Sequence, residues 1–276
     1  MKLRSLVQWS LFGLVMILVI IGITWWGARR HRRLEACLAN LFQVAHPQYK
    51  RATGRAYSTS FPNSVNPISE NNNWINGGAC DDLRLCPGAA TSNVRTRPGL
   101  AFGTQTGDVP PPYTDSGALL AGDWGSDQFV QIVISWDGTP GTALDYDEAE
   151  IRLRGAFAKN WSRTYNINCR VGPPSENSYI QMGRANGPVD DFTPPLAELD
   201  GPEAACQNGD VITGTVVGDV ISAYINGRRV LQNEDSVITS GSPGFGFFHQ
   251  GKHAENSNFG ISRFTASDIF PRFAFD

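Results

Sequence analysis

Four acidic residues lie within six positions of the chain, in the run Asp145-Tyr146-Asp147-Glu148-Ala149-Glu150. Hydrolysis of a glycosidic bond with retained configuration needs two carboxyl groups about 5 Å apart, one as nucleophile and one as acid and base. Glu150 and Asp147 are the candidate catalytic residues. Arg152 and Arg154 follow at alternate positions, and arginines on the same strand face would lower the pKa of the Glu150 carboxyl group. A salt-bridged, solvated strand face is the simpler interpretation of these residues.

A second set of residues carries the side chains that carbohydrate sites use. Pyranose rings have apolar faces, which pack on flat aromatic rings, and hydroxyl groups, which bond to planar polar side chains. The candidate ligand-binding residues are Trp124, Trp161, Tyr179, Arg152, Arg184 and Asn186. Trp136 stands at a predicted strand end, where packing in the core is the better interpretation. Core packing is also the alternative for the other two tryptophans.

The sequence predicts no transition-metal site. The four histidines are scattered and no C-x-x-C pair occurs, so the spacing typical of zinc ligands is missing. The segment from His249 to His253 is a polar loop that could contact a ligand, bind a metal loosely or simply be exposed. Calcium is the one ion with candidate ligands, because Asp123, Asp127 and Asp190-Asp191 offer oxygen atoms in loops. Solvated turn residues are the alternative interpretation, and no other cofactor is predicted.

The elements that would position these residues are short β-strands. Glu148–Arg154 alternates apolar and charged residues, which predicts one buried and one solvated strand face. Gly209–Glu234 predicts three strands joined by turns at Gly218-Asp219 and Asn226-Gly227, the latter a strong hairpin signal. About a dozen such segments with frequent turn residues predict an all-β fold, an antiparallel jelly-roll β-sandwich.

The late strands carry a family resemblance. The meander Gly209–Glu234, the glycine-rich Ser240–Phe248 and the segment Phe259–Asp268 resemble the concanavalin A-like lectin/glucanase superfamily, in its laminin G-like bacterial branch. The resemblance implies a β-sandwich that often handles carbohydrate. It names no ligand, because function belongs to sites and not to folds.

The resemblance also directs attention to particular residues. Glucanases of the superfamily place E-x-D-x-x-E on one strand, where this chain has D-x-D-x-x-E from Asp145 to Glu150. Similar bacterial sequences have an arm of Arg, Asn and Gly followed by an aspartate-phenylalanine pair, here Gly183–Gly187 and Asp191-Phe192. An aromatic residue is usual in that arm where Ala185 stands, so this chain departs from the pattern in both places.

The N-terminal region predicts a membrane anchor. Leu6 to Trp26 is uncharged and long enough to cross a bilayer as a helix, and Arg29-Arg30-His31-Arg32-Arg33 follows it. We therefore predict a transmembrane anchor over 1–28, a basic linker over 29–54 and the sandwich domain over 55–276. An uncleaved or long signal peptide is the alternative. The flanking charges slightly favour a cytoplasmic domain, whereas the cysteines and the resembled family favour an extracytoplasmic one, which we expect.

The five cysteines predict disulfides. Cys80 and Cys86 flank a short loop, while Cys169 lies in one predicted strand and Cys206 just before another. Cys169 and Cys206 could pair if those strands are neighbours, and Cys37 would remain as the odd cysteine. An anchored, Gly- and Pro-rich chain favours disulfides over inert thiols.

Composition limits the class of partner. Of 276 residues 18% are charged, the net charge is −3 and the pI is about 5.8, and no basic stripe runs through the domain. Nucleic acid is therefore excluded as an expected partner. We expect a membrane-tethered, extracytoplasmic sandwich that binds carbohydrate or another surface polymer. The alternatives are a structural or adhesion module without a small ligand, and a carbohydrate-active enzyme of glucanase-like or keto-glycoside hydrolase-like type.

Overall fold

A computed structural model describes residues 52–77, 91–104, 115–138, 146–158, 161–188, 192–250 and 258–269. The predicted anchor, the linker residues up to 51, Cys37, Cys80 and Cys86 lie outside these residues, so the anchor, the domain boundaries and the Cys80–Cys86 pair stay predictions. No helix in the described part of the chain has the length and apolar character needed to cross a membrane.

The described residues form two eight-stranded sheets. Sheet A has the order β14-β13-β12-β7-β16-β5-β4, with β1 paired to β16. Its strands are β1 (Ala56–Thr59), β4 (Val94–Arg97), β5 (Leu100–Gly103), β7 (Gln128–Trp136), β12 (Val211–Val217), β13 (Val220–Ile225), β14 (Arg228–Glu234) and β16 (Phe259–Ser267).

Sheet B has the order β11-β10-β9-β8-β15-β6-β2, with β3 paired to β6. Its strands are β2 (Trp74–Asn76), β3 (Thr91–Ser92), β6 (Asp115–Leu120), β8 (Tyr146–Ala158), β9 (Trp161–Val171), β10 (Tyr179–Pro188), β11 (Phe192–Asp200) and β15 (Ser242–Gln250). The pairs within the two sheets are antiparallel except β3 with β6. One short 3₁₀ helix, Pro202–Ala204, follows β11. This arrangement confirms the predicted all-β, antiparallel architecture.

The two sheets pack face to face over one hydrophobic core. The core draws Ile132 and Ala223 from sheet A and Ile151 and Ile167 from sheet B. Gly214 of β12 marks a point of close approach, because a Cβ atom there would lie 2.7 Å from Ile167 Cδ1 and 2.9 Å from Ile151 Cγ2. The apolar side chains on the inner faces of the two sheets therefore pack against each other across the sandwich.

The late meander follows its sequence pattern closely. Asn226 and Gly227 both have positive φ, at 50° and 80°, as a type I′ turn needs. Gly218, at φ 56°, stands at the first central position of its turn, where a type II′ turn places glycine. The turn residues thus set the register of β12, β13 and β14.

One disulfide joins Cys169 of β9 to Cys206. The two Cα atoms are 6.1 Å apart, and Cys206 lies beside the end of β9 through a parallel bridge to Val171. The predicted pairing of these two cysteines is confirmed. Both are fully buried, so the bond forms part of the core.

Candidate functional site

Strand β8 runs through the middle of sheet B and has two different faces. Ala149, Ile151 and Leu153 point into the core between the sheets. Glu148, Glu150 and Arg152 alternate with them and point to the other side, which we call the outer face of sheet B. The predicted solvated face is wrong: these three side chains are 5%, 1% and 1% exposed. Their neighbours on the adjacent strands cover them.

Glu150 and Arg152 form a buried ion pair that extends to β6. Arg152 Nη2 lies 2.6 Å from Glu150 Oε2 and 3.0 Å from Asp115 Oδ2. Gly246 of β15 makes room for the pair, because a Cβ atom there would lie 2.5 Å from Glu150 Oε2 and 2.6 Å from Arg152 Nε. One guanidinium therefore bridges two carboxylates across the width of β15.

Aromatic side chains surround the Glu148 end of this cluster. Tyr179 of β10 donates a hydrogen bond to Glu148 Oε1. The Tyr146 ring lies 6.2 Å from Tyr179 and 5.9 Å from Phe248, between ring centroids, and the Arg170 guanidinium lies 4.5 Å from the Tyr146 centroid. The three rings are half-buried. They combine apolar faces with a remaining exposed surface.

Burial dominates the protonation of both glutamates. Desolvation raises the pKa of Glu148 to about 7, aided by the charge of Asp115 and opposed by the Tyr179 hydrogen bond and the Arg170 charge. Desolvation, followed by the charge of Asp115, raises the pKa of Glu150 well above its ordinary value, and Arg152 offsets only part of this. Arg152 lowers the pKa of Glu150, as expected, but burial outweighs the ion pair and the net pKa is raised.

Arg154 does not share the face of Glu150, contrary to the prediction. The β8–β9 register shifts between Leu153 and Ala156, and Arg154 has φ 51°. This bulge turns the side chain away, as bulges do. The guanidinium donates to the backbone carbonyls of Ser126, Ile238 and Gly218, at 2.7, 2.8 and 2.8 Å. Arg154 thus connects β8 to turns of sheet A.

Around Arg152, the buried polar atoms on the outer face that have no hydrogen-bond partner among the described residues include Arg152 Nε, Asn166 Oδ1 and Asn168 Oδ1. Asn166 stands directly opposite Arg152, and Asn168 directly opposite Glu150, in the β8–β9 register. The asparagines are 3% and 8% exposed. A buried polar group without a partner costs about 1–3 kcal/mol, so three in one small area call for an explanation.

Asp147 faces away from Glu150, into the sandwich. Its Oδ1 lies 2.5 Å from His249 Nδ1, and its Oδ2 accepts a hydrogen bond from Asn258 Nδ2 at 3.0 Å. The strand alternates regularly between Asp147 and Glu150, which places the two side chains on opposite faces. These two candidate carboxylates therefore do not share a site, and Glu148 is the carboxylate that shares the face of Glu150. Asp145 lies outside the described residues.

The candidate ligand-binding residues divide into two groups. Arg152 and Tyr179 lie on the outer face of sheet B. Arg184 instead pairs with Asp235, from the segment after β14, and donates from Nε to Asn186 Oδ1 at 2.7 Å. Asn186 in turn donates to Thr193 Oγ1 at 3.0 Å. This arm links the two sheets and does not belong to the outer-face cluster.

The tryptophans do not line the outer face in the described structure. Trp124 is 3% exposed and belongs to the core, with the Arg55 guanidinium 4.7 Å from its ring. Trp136 is half-buried and packs against the core. The side chain of Trp161 lies outside the described residues.

The calcium candidates remain untested. Asp127 accepts a hydrogen bond from the Gly218 backbone N–H at 2.9 Å, and the backbone carbonyl of Asp123 accepts one from Thr53 Oγ1 at 3.2 Å. Asp190 and Asp191 lie outside the described residues. Within the described ranges, no three His, Cys, Asp or Glu side chains are grouped as a metal ion would require.

Sequence reasoning missed Glu148, Asp115, Asn166 and Asn168 as members of the cluster. Glu148 could have been found from strand period alone, since it stands two positions before Glu150. Asn166 and Asn168 alternate with Tyr165, Ile167 and Cys169 along the next strand in the chain. The approach of Asp115 depends on the pairing of β6 with β15, for which the sequence holds no local signal.

Comparisons with known proteins address the fold. No protein-family model matches this chain, and no curated protein is significantly similar to it. Among solved structures, the metal-free carbohydrate recognition domain of Emp46p matches with a TM-score of 0.51 at 12% identity, over 78% of this chain and 97% of that chain.

Two further structures are similar over most of their length. A prokaryotic β-1,3-1,4-glucanase (lichenase) from a mouse hindgut metagenome has a TM-score of 0.48 at 11% identity, over 78% of this chain and 99% of its own. The carbohydrate-binding module CBM66 from Bacillus subtilis has a TM-score of 0.43 at 15% identity, over 67% and 96%. At identities this low the comparisons show similarity of fold alone, and the laminin G-like branch stays a prediction. In its fold, the chain is similar to the Emp46p domain, and it is an antiparallel β-sandwich, as the sequence predicts.

Proposed function

We propose that this protein binds carbohydrate on the outer face of sheet B. The observation that carries the proposal is the group of three buried polar atoms without a partner among the described residues: Arg152 Nε, Asn166 Oδ1 and Asn168 Oδ1. Buried polar groups are normally hydrogen-bonded. A sugar hydroxyl both donates and accepts, so neighbouring hydroxyls could satisfy the amide oxygens and the guanidinium N–H together once the side chains that bury these atoms move aside.

The aromatic residues beside the cluster support the same class of ligand. Tyr146, Tyr179 and Phe248 lie at the Glu148 end, and the Phe157 ring lies 5.7 Å from the Arg152 guanidinium carbon at the other end. Ligand sites combine such apolar surfaces with a few well-placed polar groups. The Emp46p domain, which shares the fold, is by name a carbohydrate recognition domain.

The charge of the cluster favours a neutral sugar over an acidic one. The cluster holds three carboxyl groups, of Asp115, Glu148 and Glu150, against two guanidinium groups, of Arg152 and Arg170. A uronic acid or sulfated sugar would bring a further negative charge into a buried acidic site, where repulsion is weakly screened. We therefore expect neutral gluco-, manno-, xylo- or galacto-configured glycans to bind.

The test is an array of neutral and acidic oligosaccharides of one to six units, probed with the full chain. The proposal predicts binding to at least one neutral series and weaker binding to its uronic acid or sulfated counterparts. Binding to no glycan would contradict it and would leave the structural or adhesion role as the better account. A preference for acidic glycans would also contradict the role given to the carboxyl cluster.

A second candidate function is glycoside hydrolysis, which the two outer-face glutamates favour. Glu148, with a pKa of about 7, would be protonated in part at neutral pH and could act as the acid. Glu150, held by Arg152 at 2.6 Å, would be the second carboxyl group, and it would have to ionise against the burial that raises its pKa. Retaining hydrolysis requires two such groups in different environments. Incubation of the bound oligosaccharides with wild type, Glu148→Gln and Glu150→Gln distinguishes the candidates, since a binding protein releases no product in any of them.

We also propose an extracytoplasmic location with tethering through residues 6–26. Support comes from the uncharged stretch in the sequence and from the Cys169–Cys206 disulfide, because disulfides persist mainly in oxidising compartments. Protease treatment of intact cells should remove the domain. Complete protection of the domain, with digestion only after lysis, would contradict this location.

A further inference from the structure

Phe192, the first residue of β11, is an exposed aromatic residue on the outer face of sheet B. Its side chain is 40% exposed, and its partner across the β10–β11 pair is Ala185. The ring covers Gly183 of β10, where a Cβ atom would collide with the ring atoms Cζ and Cε1. The small residues Gly183 and Ala185 therefore leave the space in which the ring lies against the sheet.

The ring is aligned with the polar cluster. Gly183 stands opposite Asn166 of β9, and Asn166 stands opposite Arg152 of β8. Adjacent strands are about 4.8 Å apart, so Gly183 and its covering ring are roughly two strand spacings, about 10 Å, from Arg152. That span exceeds a single pyranose ring. A ligand that contacts both places must contain more than one sugar unit.

We propose that Phe192 is a stacking platform for a second sugar unit, so that the outer face binds a chain of at least two pyranose units. This inference rests on the carbohydrate-binding function proposed above. The first unit bonds to Arg152, Asn166 and Asn168, and the next unit lays the apolar face of its ring on Phe192. Aromatic rings offer such a surface at low conformational cost.

The surroundings of Phe192 favour a sugar over a protein partner. Its neighbours on this face include Asn166 and, in the next row, Gln181 opposite Glu198. Next to the described polar side chains, the Phe192 ring alone is too small an apolar patch for a protein interface, which usually buries several hundred Å² per partner. One exposed ring beside polar side chains does match the alternation of apolar faces and hydroxyl groups along an oligosaccharide.

The test compares affinities for the monosaccharide and the tetrasaccharide of the neutral series that binds best on the array, measured by calorimetry with the full chain. Phe192→Ala should weaken tetrasaccharide binding about tenfold, as expected for one lost stacking contact, and should leave monosaccharide binding nearly unchanged. Gly183→Ala should have the same effect, because the new methyl group displaces the ring. Phe192→Trp should retain tetrasaccharide affinity. Val237→Ala, which truncates a 61% exposed residue elsewhere, is the matched control and should change nothing.

The outcomes separate the two proposals. If wild type binds no glycan, the proposed function fails, and this inference fails with it. If wild type binds the tetrasaccharide and Phe192→Ala binds it equally well, only the stacking platform is overturned. An equal loss of monosaccharide and tetrasaccharide affinity in Phe192→Ala would also overturn it, because the ring would then serve the first sugar unit or the sheet itself.

Discussion

Glu150 and Arg152 lie two positions apart on β8, and the 2.6 Å contact between Glu150 Oε2 and Arg152 Nη2 joins two side chains that are each 1% exposed. Such a pair is weak evidence of stabilisation, because desolvation of both charges offsets their attraction. Its place on the face of a sheet that does not pack against the other sheet is better explained by ligand binding than by stability.

Replacement of Arg152 alone should destabilise the folded protein. Arg152→Met leaves the buried Glu150 and the half-buried Asp115 without a counter-ion and should lower the free energy of unfolding by about 3–5 kcal/mol. The double variant Arg152→Met, Glu150→Gln should recover part of that loss, because one uncompensated charge is gone. Urea denaturation at pH 7 measures both. If the single and double variants are equally unstable, the two side chains are not energetically coupled.

Glu148 should make stability depend on pH. Its pKa rises from 4.5 to about 7 on folding, so the folded state keeps a proton that the unfolded state loses. Its contribution is full below about pH 4.5 and is lost as pH rises through 7. The difference in unfolding free energy between wild type and Glu148→Gln should therefore change by no more than about 3 kcal/mol across this window. A constant difference between pH 4.5 and 8 would show that the pKa of Glu148 is not raised.

Asp268 should give stability a pH dependence opposite to that of Glu148. Its carboxylate accepts four hydrogen bonds, from Thr53 N and Oγ1, Arg55 N and Gly125 N, at 2.8, 2.6, 2.8 and 2.8 Å. Burial alone would raise the pKa of Asp268, but these bonds outweigh it and the net pKa is lowered. Its stabilising effect is therefore present above the ordinary aspartate pKa and is lost as pH falls through the lowered value.

The substitution Asp268→Asn tests this carboxylate. It should cost roughly 3 kcal/mol at pH 7, because bonds to a charged acceptor are replaced by weaker ones and one N–H loses its partner. The cost should shrink in strong acid, where the wild-type carboxylate is protonated. Thermal unfolding at pH 7 and pH 3 measures the difference, and a cost that is equal at both pH values would contradict the role of the charge.

The Cys169–Cys206 bond should stabilise the folded protein by lowering the conformational entropy of the unfolded chain. It closes a loop with a sequence separation of 37 residues, for which chain entropy predicts about 4 kcal/mol of stabilisation. The double variant Cys169→Ala, Cys206→Ala should show this loss in urea denaturation. Dithiothreitol should destabilise wild type but leave the double variant unchanged. If the reductant destabilises both proteins equally, its effect does not come from the Cys169–Cys206 bond but from other cysteines.

The fold was largely predictable because its information is local. The three strands within Gly209–Glu234 were predicted from their pattern, and the Asn226-Gly227 turn was predicted because few residues tolerate positive φ at both positions. Strand period also placed Ala149, Ile151 and Leu153 in the core. What failed at β8 was the assumption that a charged face is a solvated face. The covering residues come from strands distant in sequence, such as Phe248 and Tyr179.

The candidate site was predictable only in part, for a related physical reason. Glu150, Arg152 and Tyr179 were predicted as candidates from residue type. Arg154 was misplaced because a single bulge reverses a side chain, and no residue type marks it unambiguously. Arg184 has the side chain of a ligand-binding residue, yet its partner Asp235 is 51 positions away. Such pairings depend on tertiary structure.

The most direct test of carbohydrate binding on the outer face of sheet B is the affinity of Asn166→Ala, Asn168→Ala for the neutral tetrasaccharide that binds best. Calorimetry with the full chain should show affinity about 30- to 140-fold below wild type, since two hydrogen bonds of about 1–1.5 kcal/mol each are lost. The variant should remain folded, because neither amide oxygen has a partner among the described residues to lose. Asn233→Ala, on β14 of sheet A, is the matched control and should bind normally. Unchanged affinity in a folded Asn166→Ala, Asn168→Ala protein would contradict the proposed site.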